Sequence, residues 1–376
     1  MEISDIRTIR FSCESHIDPD EKGHGHPGEP RESTRTITHV VVDGGPDGYC
    51  RGGHEAANEF AKKHLVGENP LYREKLWQLL CRAERLNKGT LTDKRVAPID
   101  CALWDVAGKD AGLPVYQLIG AARDSLPAYG STMVGDDDPD GLGSPEAYAD
   151  FAEELVAEGY QAVKLHTWMP PFGDDPERDI AACRAVRERV GDDIDLMLDA
   201  HHFYSRSEAK KIGKALEDLD FRWIEEPMDE HSMSSYEWLS NELDIAVVGP
   251  ETAEGRMHTR AEWIKRDIAD IIRVGVYDVG GITPALKAVG LCESFNIECE
   301  IHGRDAPNLQ LLGTMAFPGR YYERGLLHPK HDYETYFPGL EHPPDEIDDN
   351  GVVELPQTPG LGYAFDWDYI DANRVE

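Results

Sequence analysis

Short apolar runs alternate with amphipathic stretches from about residue 126 onward. Strand-like runs, several of them followed by helical spacing of apolar positions, occur at 162–168, 195–200, 221–227, 245–251, 270–276 and 297–302. Strand then helix, repeated with short loops, is typical of a parallel sheet covered by helices. This many units in about 200 residues predict closure into a (β/α) barrel. A doubly wound open sheet is disfavoured, because neither GxGxxG nor GxxxxGK[ST] occurs.

The pattern before the barrel predicts a mixed α+β unit. THVVVDGG (38–45) has the pattern of a strand that ends at a glycine turn, and helical spacing follows between 54 and 86 and over roughly 97–110. The polar segment 16–34, rich in Gly and Pro, is predicted to be a mobile loop.

The tail contains many Pro, acidic and aromatic residues, and we expect it to be an extended segment that packs back on the first unit. The chain is therefore predicted to have an α+β capping unit (1–125), a catalytic barrel (126–329) and a returning C-terminal segment (330–376).

Acidic residues dominate the composition. Asp and Glu number 72 against 38 Lys and Arg, which gives a formal net charge of −34, and they are spread along the chain. A field this negative repels nucleic acid and anionic membranes, so neither is expected as a partner. A dispersed acidic excess is typical of a surface kept soluble in strong salt, and it predicts a halophilic source.

The apolar runs and the cysteines predict a cytoplasmic protein. No stretch of about 18 apolar residues and no secretory signal is found. The seven cysteines are an odd number without a CxxC pair, which predicts reduced core thiols rather than a zinc site.

Three acids recur at even spacing. Asp199, Glu225 and Glu251 are separated by 26 residues each, about the length of one strand–helix unit, and each is placed at the end of a strand-like run. In a barrel those ends converge on one mouth. Three carboxylates at one point repel one another, and oxygen donors alone favour Mg²⁺. The alternative is that each acid caps the next helix or faces solvent.

Basic residues and histidines near the same strand ends are candidates for proton transfer. Lys164 and His166 are two residues apart on one strand, so their side chains face the same side. Lys164 could act as a base there, or it could instead pair with a barrel acid. His201 lies two residues beyond Asp199, and His302 ends another strand. Weaker candidates, for contacts with substrate, are Trp168, Arg304, His24 and His26.

Several motifs together resemble one family. Asp199, Glu225 within WIEEP, Glu251 within GPE and GGIT at 280–283 resemble the enolase superfamily, in its mandelate racemase and muconate lactonizing branch. The segments at 99–120 and 359–368 are similar to the capping-domain signature and the C-terminal ending of that branch. The resemblance implies a capping domain on a modified (β/α)₇β barrel, with one Mg²⁺ held by the three acids and an enolate-forming step. It also implies a symmetric homo-oligomer.

The sequence departs from the family pattern on two strands. Many members have Lys-x-Lys where this chain has Lys164-Leu-His166. Racemase-like members pair an Asp on the sixth strand with a His on the seventh. The sixth-strand position here is Gly275, so His302 lacks that partner unless Asp278 takes its place.

The departures favour dehydration over racemisation. Asp199-x-His201 is similar to the pattern of mannonate dehydratases, where that His is catalytic. We therefore expect a dehydratase that acts on a small carboxylate, a sugar acid (aldonate or aldarate), and forms a 2-keto-3-deoxy acid. The alternatives are an epimerase, racemase or cycloisomerase of a carboxylate, and a non-catalytic barrel that binds sugar acids.

Overall fold

The computed structural model describes residues 1–19, 25–85, 89–169, 175–316 and 319–375. Three antiparallel strands form an N-terminal sheet in the order β1 (Glu2–Pro19), β2 (Gly25–Asp43), β3 (Gly48–Arg51). Four helices follow it: α1 (Glu55–Leu65), α2 (Arg73–Glu84), α3 (Asp93–Ala111) and α4 (Val115–Ile119). Helix α3 packs against β2 and β3 through a face rich in buried residues.

The expected mobile loop at 16–34 is wrong for the part that is described. Residues 16–19 and 25–34 continue β1 and β2 as a long hairpin, in which Asp18 is paired with His26 beyond a bulge near Ser15. Ser15 and His26 are both buried, so burial and cross-strand pairing hold a segment whose composition is that of a loop. Residues 20–24, which include His24, lie outside the described residues.

Strands and helices then alternate in the predicted manner. In chain order they are β4 (Ser125–Thr132), α5 (Pro145–Ala157), β5 (Ala162–His166), α6 (Pro176–Val190), β6 (Asp195–Asp199), α7 (Arg206–Asp218), β7 (Trp223–Glu225), α8 (Met233–Glu242), β8 (Ala246–Val248), α9 (Arg256–Lys265), β9 (Ile271–Val274), α10 (Ile282–Phe295), β10 (Glu298–Ile301), α11 (Ala306–Leu312) and β11 (Tyr322–Leu327). Polar side chains begin several helices; Ser205, for instance, forms a reciprocal capping box with Glu208 at α7.

The eight strands form one curled parallel sheet, in the order β10-β9-β8-β7-β6-β5-β4-β11. Neighbours follow the chain order, and the last strand, β11, returns to lie beside the first, β4. This is the strand order of a rolled-up barrel, and the predicted fold is confirmed. Strands β10 and β11 are the two ends of this strand order. Gly303 N, just after β10, donates a hydrogen bond to the Glu323 side chain of β11 (2.7 Å), which links the two ends.

The C-terminal segment returns along both units. It contains a 3₁₀ turn (Tyr333–Tyr336), strand β12 (Val352–Glu354), which pairs antiparallel with β4, and helix α12 (Trp367–Ala372). Ile370 packs with Phe11 and other buried residues of the N-terminal sheet, and Phe11 forms a bridge with Arg374. The end of the tail therefore contacts the N-terminal sheet. Among the described helices, none is both long and apolar enough to cross a membrane.

Helix α3 fastens the cap to the barrel. Asp100 accepts a hydrogen bond from Thr283 N (2.9 Å), and Trp104 Nε1 donates to the Thr283 hydroxyl (3.0 Å). Gly281, directly before α10, has φ +119°, and a Cβ there would collide with Asp100. The GGIT motif thus allows a carboxylate of the cap to reach the first turn of a barrel helix.

Candidate metal centre and active site

The three evenly spaced acids meet at the mouth of the barrel. Asp199 ends β6 and is paired with Glu225 at the end of β7, while Glu251 follows β8 by three residues. One carboxylate oxygen of each lies within 4.8 Å of the others, and all three residues are buried. The regular spacing therefore brings the acids together, as the strand–helix repeat predicts.

Burial makes this cluster costly without a counter-charge. Burial and then the charges of Glu225 and Asp199 raise the pKa of Glu251 well above its ordinary value. Burial would also raise the pKa of Asp199, but Lys164 and neighbouring histidines outweigh it and hold that pKa well below its usual range. Two acids of one cluster are thus pushed in opposite directions, which is the behaviour of carboxylates that compete for limited positive charge.

Lys164 lies fully buried beneath the acids. Its Nζ contacts Asp199 Oδ2 (3.1 Å), Glu225 Oε2 (2.9 Å) and Glu323 Oε1 (2.8 Å). Burial disfavours the ammonium form, but Glu225 and the other acids outweigh it and raise the pKa of Lys164 well above its ordinary value. The alternative that Lys164 pairs with barrel acids is therefore what the geometry supports.

Arg273, from β9, is the second buried cation. Its Nε pairs with Glu225, its Nη2 lies 2.7 Å from Glu323 Oε2, and Glu251 Oε2 is 3.8 Å from Nε. Burial would lower the pKa of Arg273, but Glu225 and its other acidic neighbours raise it well above its ordinary value. The guanidinium therefore stays charged and ties three strands together below the mouth.

The buried charges fit a divalent cation. Those in direct contact with one another are the acids Asp199, Glu225, Glu251 and Glu323 and the cations Lys164 and Arg273. Glu226, also buried, adds a further carboxyl group beside these acids. Among the six paired residues, four carboxylates against two cations leave an excess of negative charge, which a bound dication would offset. The donors are all oxygen atoms, which suits a hard ion such as Mg²⁺. A second set, His166, Asp199 and His201, also has ligand atoms within 4.8 Å of one another, but its two nitrogens suit a softer metal.

His166 and His201 lie on the Asp199 side of the mouth. His166 Nδ1 is 2.6 Å from Thr132 O, and its Nε2 is 3.0 Å from Asp199 Oδ2. Because a carbonyl only accepts, Nδ1 carries a proton and Nε2 faces the acids. The ring of His201 lies 4.6 Å from that of His166, and His201 has a positive φ of 46°.

His302 lies on the Glu251 side. Its Nε2 is 3.1 Å from Glu251 Oε1, and its Nδ1 is 2.6 Å from Asp278 Oδ2. A Cβ on Gly275 would collide with that same carboxylate, so the missing sixth-strand side chain leaves the space that Asp278 fills. Asp278 therefore takes the place of the absent partner. The sequence argument against a two-sided arrangement, which depended on an unpartnered His302, no longer holds.

Three of the four weaker candidates for substrate contact, Trp168, Arg304 and His26, lie among the described residues. Trp168 is buried between Tyr148 and Arg178, and its Nε1 donates to Asp136 O (3.2 Å), so its described contacts are structural. Arg304 donates to the carbonyl of Gly325 and lies over the ring of Tyr336. His26 is buried in the hairpin, and His24 lies outside the described residues. Their contact with substrate stays a prediction.

Two charged residues of the mouth were missed by the sequence analysis. Arg273 is the one charged residue in the middle of IIRV, and Glu323 follows two buried tyrosines on the last strand. A charged side chain inside an apolar strand needs a buried partner, so each carried a usable signal. Their direction into the barrel depends on strand register, which the local pattern does not fix.

The architecture is that of a capped parallel barrel with acids gathered where barrel enzymes carry their active sites. The family model for the enolase C-terminal domain-like fold matches residues 147–369, and the model for the mandelate racemase/muconate lactonizing enzyme N-terminal domain matches residues 42–120. The chain therefore belongs to the enolase superfamily, in the mandelate racemase and muconate lactonizing branch, and it is an enzyme. The predicted family is confirmed.

Three of the similar proteins are named for reactions of sugar acids or of a sugar-acid lactone. The crystal structure of a D-glucarate dehydratase from Agrobacterium tumefaciens complexed with magnesium is 48% identical, covers 100% of both chains and has a TM-score of 0.97. A D-xylonate dehydratase of Haloferax volcanii is 30% identical over 91% of this chain and 85% of its own length. A D-galactarolactone cycloisomerase of Agrobacterium fabrum is 29% identical over 83% of this chain and 82% of its own length.

Proposed function

We propose that the protein is a Mg²⁺-dependent dehydratase of a sugar acid, which removes the proton next to the carboxylate and eliminates water to a 2-keto-3-deoxy acid. The observation that carries the proposal is the buried cluster of Asp199, Glu225 and Glu251, with histidines on two sides of it. The dehydratases among the relatives support the reaction class. The identity of 48% to a D-glucarate dehydratase supports an aldarate ahead of an aldonate.

The proton on the substrate carbon next to the carboxylate is only very weakly acidic, so its removal must be assisted. A divalent cation held by the three acids would stabilise the negative charge that develops on the substrate carboxylate. Lys164 and Arg273 hold the surrounding carboxylates in position, because each pairs with two or more of them. The site would therefore bind the transition state, with its extra negative charge, more strongly than the substrate, and this difference accelerates the reaction.

The histidines divide the proton transfers between two sides. His302 is the proposed base, because Asp278 accepts its Nδ1–H, leaves the Nε2 lone pair toward the centre and stabilises the imidazolium that forms. His166 and His201, on the other side, are the proposed acids that deliver a proton to the departing hydroxyl. Loss of the α-proton and of the neighbouring hydroxyl as water gives an enol, which takes up a proton at C3 to become the 2-keto-3-deoxy acid. The carbon chain is unchanged, and the elimination needs no redox step.

A screen of acid sugars tests the proposal. Purified protein is incubated in high KCl with aldarates and aldonates, with and without Mg²⁺, and the formation of 2-keto acid is followed. We expect Mg²⁺-dependent formation of a 2-keto-3-deoxy acid by the wild type and by His231→Asn, a substitution of an exposed histidine. His302→Asn is expected to lose it. Exchange of the α-proton with D₂O without loss of water would contradict dehydration.

An epimerase or cycloisomerase is the second candidate. The Asp278–His302 pair supports it, because a paired His on one side and His166 on the other could remove and return a proton on opposite faces. The cycloisomerase among the relatives supports it as well. The same D₂O experiment separates an epimerase from a dehydratase. An epimerase gives an isomer of the substrate that carries deuterium at the α-carbon, whereas a dehydratase gives a product that has lost water.

A further inference from the structure

Three arginines line a cavity of about 460 Å³. Arg35 comes from β2, Arg51 ends β3 and Arg304 follows β10, so the cavity lies between the cap and the barrel. Asp305 is the one carboxylate among the described residues that line it. We call this cavity the arginine crevice.

Among the described residues, one of the three guanidinium groups has an acidic partner. Arg51 Nη1 lies 3.3 Å from Asp305 Oδ2, and its Nη2 donates to a backbone carbonyl. Arg35 donates to two serine hydroxyls, and Arg304 donates to the carbonyl of Gly325. Within the described part of the chain, neither Arg35 nor Arg304 has a carboxylate within 4.0 Å. The two guanidinium groups therefore keep their charge without a described carboxylate beside them, in a chain of net charge −34.

The three charges also act on one another. Burial lowers the pKa of Arg35, and the positive charges of Arg51 and Arg304 lower it further. The walls of the crevice include Phe11 and Phe365, which limit screening by water. A negative group placed among the arginines would relieve this repulsion and could accept bidentate hydrogen bonds.

We propose that the arginine crevice binds an oxyanion, a carboxylate or phosphate group, at a site separate from the acidic metal centre. Two sources have this chemistry: a free anion, or the far carboxylate of a dicarboxylic sugar acid whose near carboxylate is at the metal centre. The second source rests on the proposed function. Arg304 follows His302 by two residues just after the end of β10, and this short separation supports the second source.

A binding experiment tests the site without using catalysis. Full-length protein freed of metal on a chelating resin is titrated with inorganic phosphate in a calorimeter, at constant ionic strength. The variant Arg35→Gln is compared with Arg31→Gln, which alters an exposed arginine on the same strand outside the crevice. We expect at least a tenfold weaker affinity for phosphate in Arg35→Gln and no change in Arg31→Gln. Equal affinity in all three proteins, or no binding to wild type, would overturn the proposal.

Steady-state kinetics identify whether the anion in the arginine crevice belongs to the substrate or is a free anion. KM is measured with D-glucarate, a dicarboxylate, and D-gluconate, a monocarboxylate. A rise in KM of tenfold or more for glucarate alone in Arg35→Gln assigns the crevice to the far carboxylate of the substrate. Unchanged KM values together with the loss of phosphate binding assign it to a free anion. Arg35→Lys, which keeps the charge but not the fork of donors, should bind phosphate with intermediate affinity.

The two proposals can fail separately. If neither sugar acid is converted, the phosphate titration still decides whether the crevice is an anion site. If phosphate binding does not depend on Arg35, the dehydratase assignment is unaffected. Circular dichroism spectra and melting temperatures of the variants check that lost binding is not lost folding.

Discussion

At the scale of single residues, Asp278 shows how a loop side chain replaces one that a strand lacks. Gly275 leaves space at the end of β9, and the Asp278 carboxylate fills it at 2.6 Å from His302 Nδ1. The second oxygen of Asp278 lies 3.4 Å from Nζ of Lys94, at the start of α3. One carboxylate thus orients a barrel histidine and contacts the cap.

Removing the charge of Asp278 tests this arrangement. Asp278→Asn is expected to lower kcat by about 10²-fold with a smaller change in KM, because the amide can donate to His302 Nδ1 and favour the wrong tautomer. Steady-state kinetics with the substrate found in the screen provide the measurement. Asp267→Asn, the same change at an exposed position, is the control. An unchanged kcat in Asp278→Asn would mean that His302 needs no carboxylate partner.

At the scale of elements, the junction of α3 and α10 holds the cap on the barrel. Asp100 contacts the first turn of α10, and the backbone of Gly281 lies in a region that L-residues rarely adopt, with φ +119°. The junction depends on a carboxylate and a glycine that approach each other closely.

Adding one methyl group at Gly281 should break this approach. Gly281→Ala is expected to cost about 2 kcal/mol or more in the free energy of unfolding, from the strained φ and the collision with Asp100. Gly290→Ala lies on the same helix with nothing within 4 Å of the new Cβ, and it should gain about 0.5–1 kcal/mol. Urea unfolding of both variants gives the comparison, and similar values for the two would refute the steric argument.

The buried carboxyl at the same junction predicts a pH dependence. Burial raises the pKa of Asp100 from 3.8 to about 6 in the folded chain. Between pH 4 and pH 6 the unfolded state ionises this group while the folded state does not, so stability falls by up to about 3 kcal/mol as pH rises. Asp100→Asn cannot ionise and should become more stable relative to wild type over that interval. A difference in unfolding free energy that does not change with pH would exclude this cause.

Elements with local signals could be predicted from the sequence, and those that depend on distant pairing could not. The 26-residue spacing of Asp199, Glu225 and Glu251 follows from one repeating unit, so the acidic cluster was predictable. The hairpin of β1 and β2 was missed, because its Gly- and Pro-rich strands are held by pairing with each other. The inward direction of Arg273 and Glu323 depends on register across the sheet, which a single strand does not reveal.

At the scale of the whole molecule, the net charge of −34 opposes the compact state. Most acids are on the surface, where salt screens them: the Debye length falls from about 10 Å at 0.1 M to about 3 Å at 1 M salt. The protein should therefore depend on salt for its stability, in agreement with the predicted halophilic source.

Thermal unfolding in KCl tests this dependence. We expect the melting temperature at pH 7 to rise as KCl increases from about 0.05 M to about 1 M. The rise should be roughly 2 °C for each kcal/mol of charge repulsion that the salt removes. At pH 4.7, near the sequence pI of about 4.7, the net charge is close to zero and the rise should be much smaller. Full stability in dilute buffer at pH 7 would count against a surface adapted to salt.

A crystal soaked with Mn²⁺ tests directly whether the three carboxylates hold one ion. Mn²⁺ takes oxygen ligands as Mg²⁺ does and scatters anomalously, so its position can be seen without activity. We expect one anomalous peak enclosed by Asp199, Glu225 and Glu251. A peak at His166, Asp199 and His201 instead, or carboxylates turned away from one another with no ion between them, would contradict it.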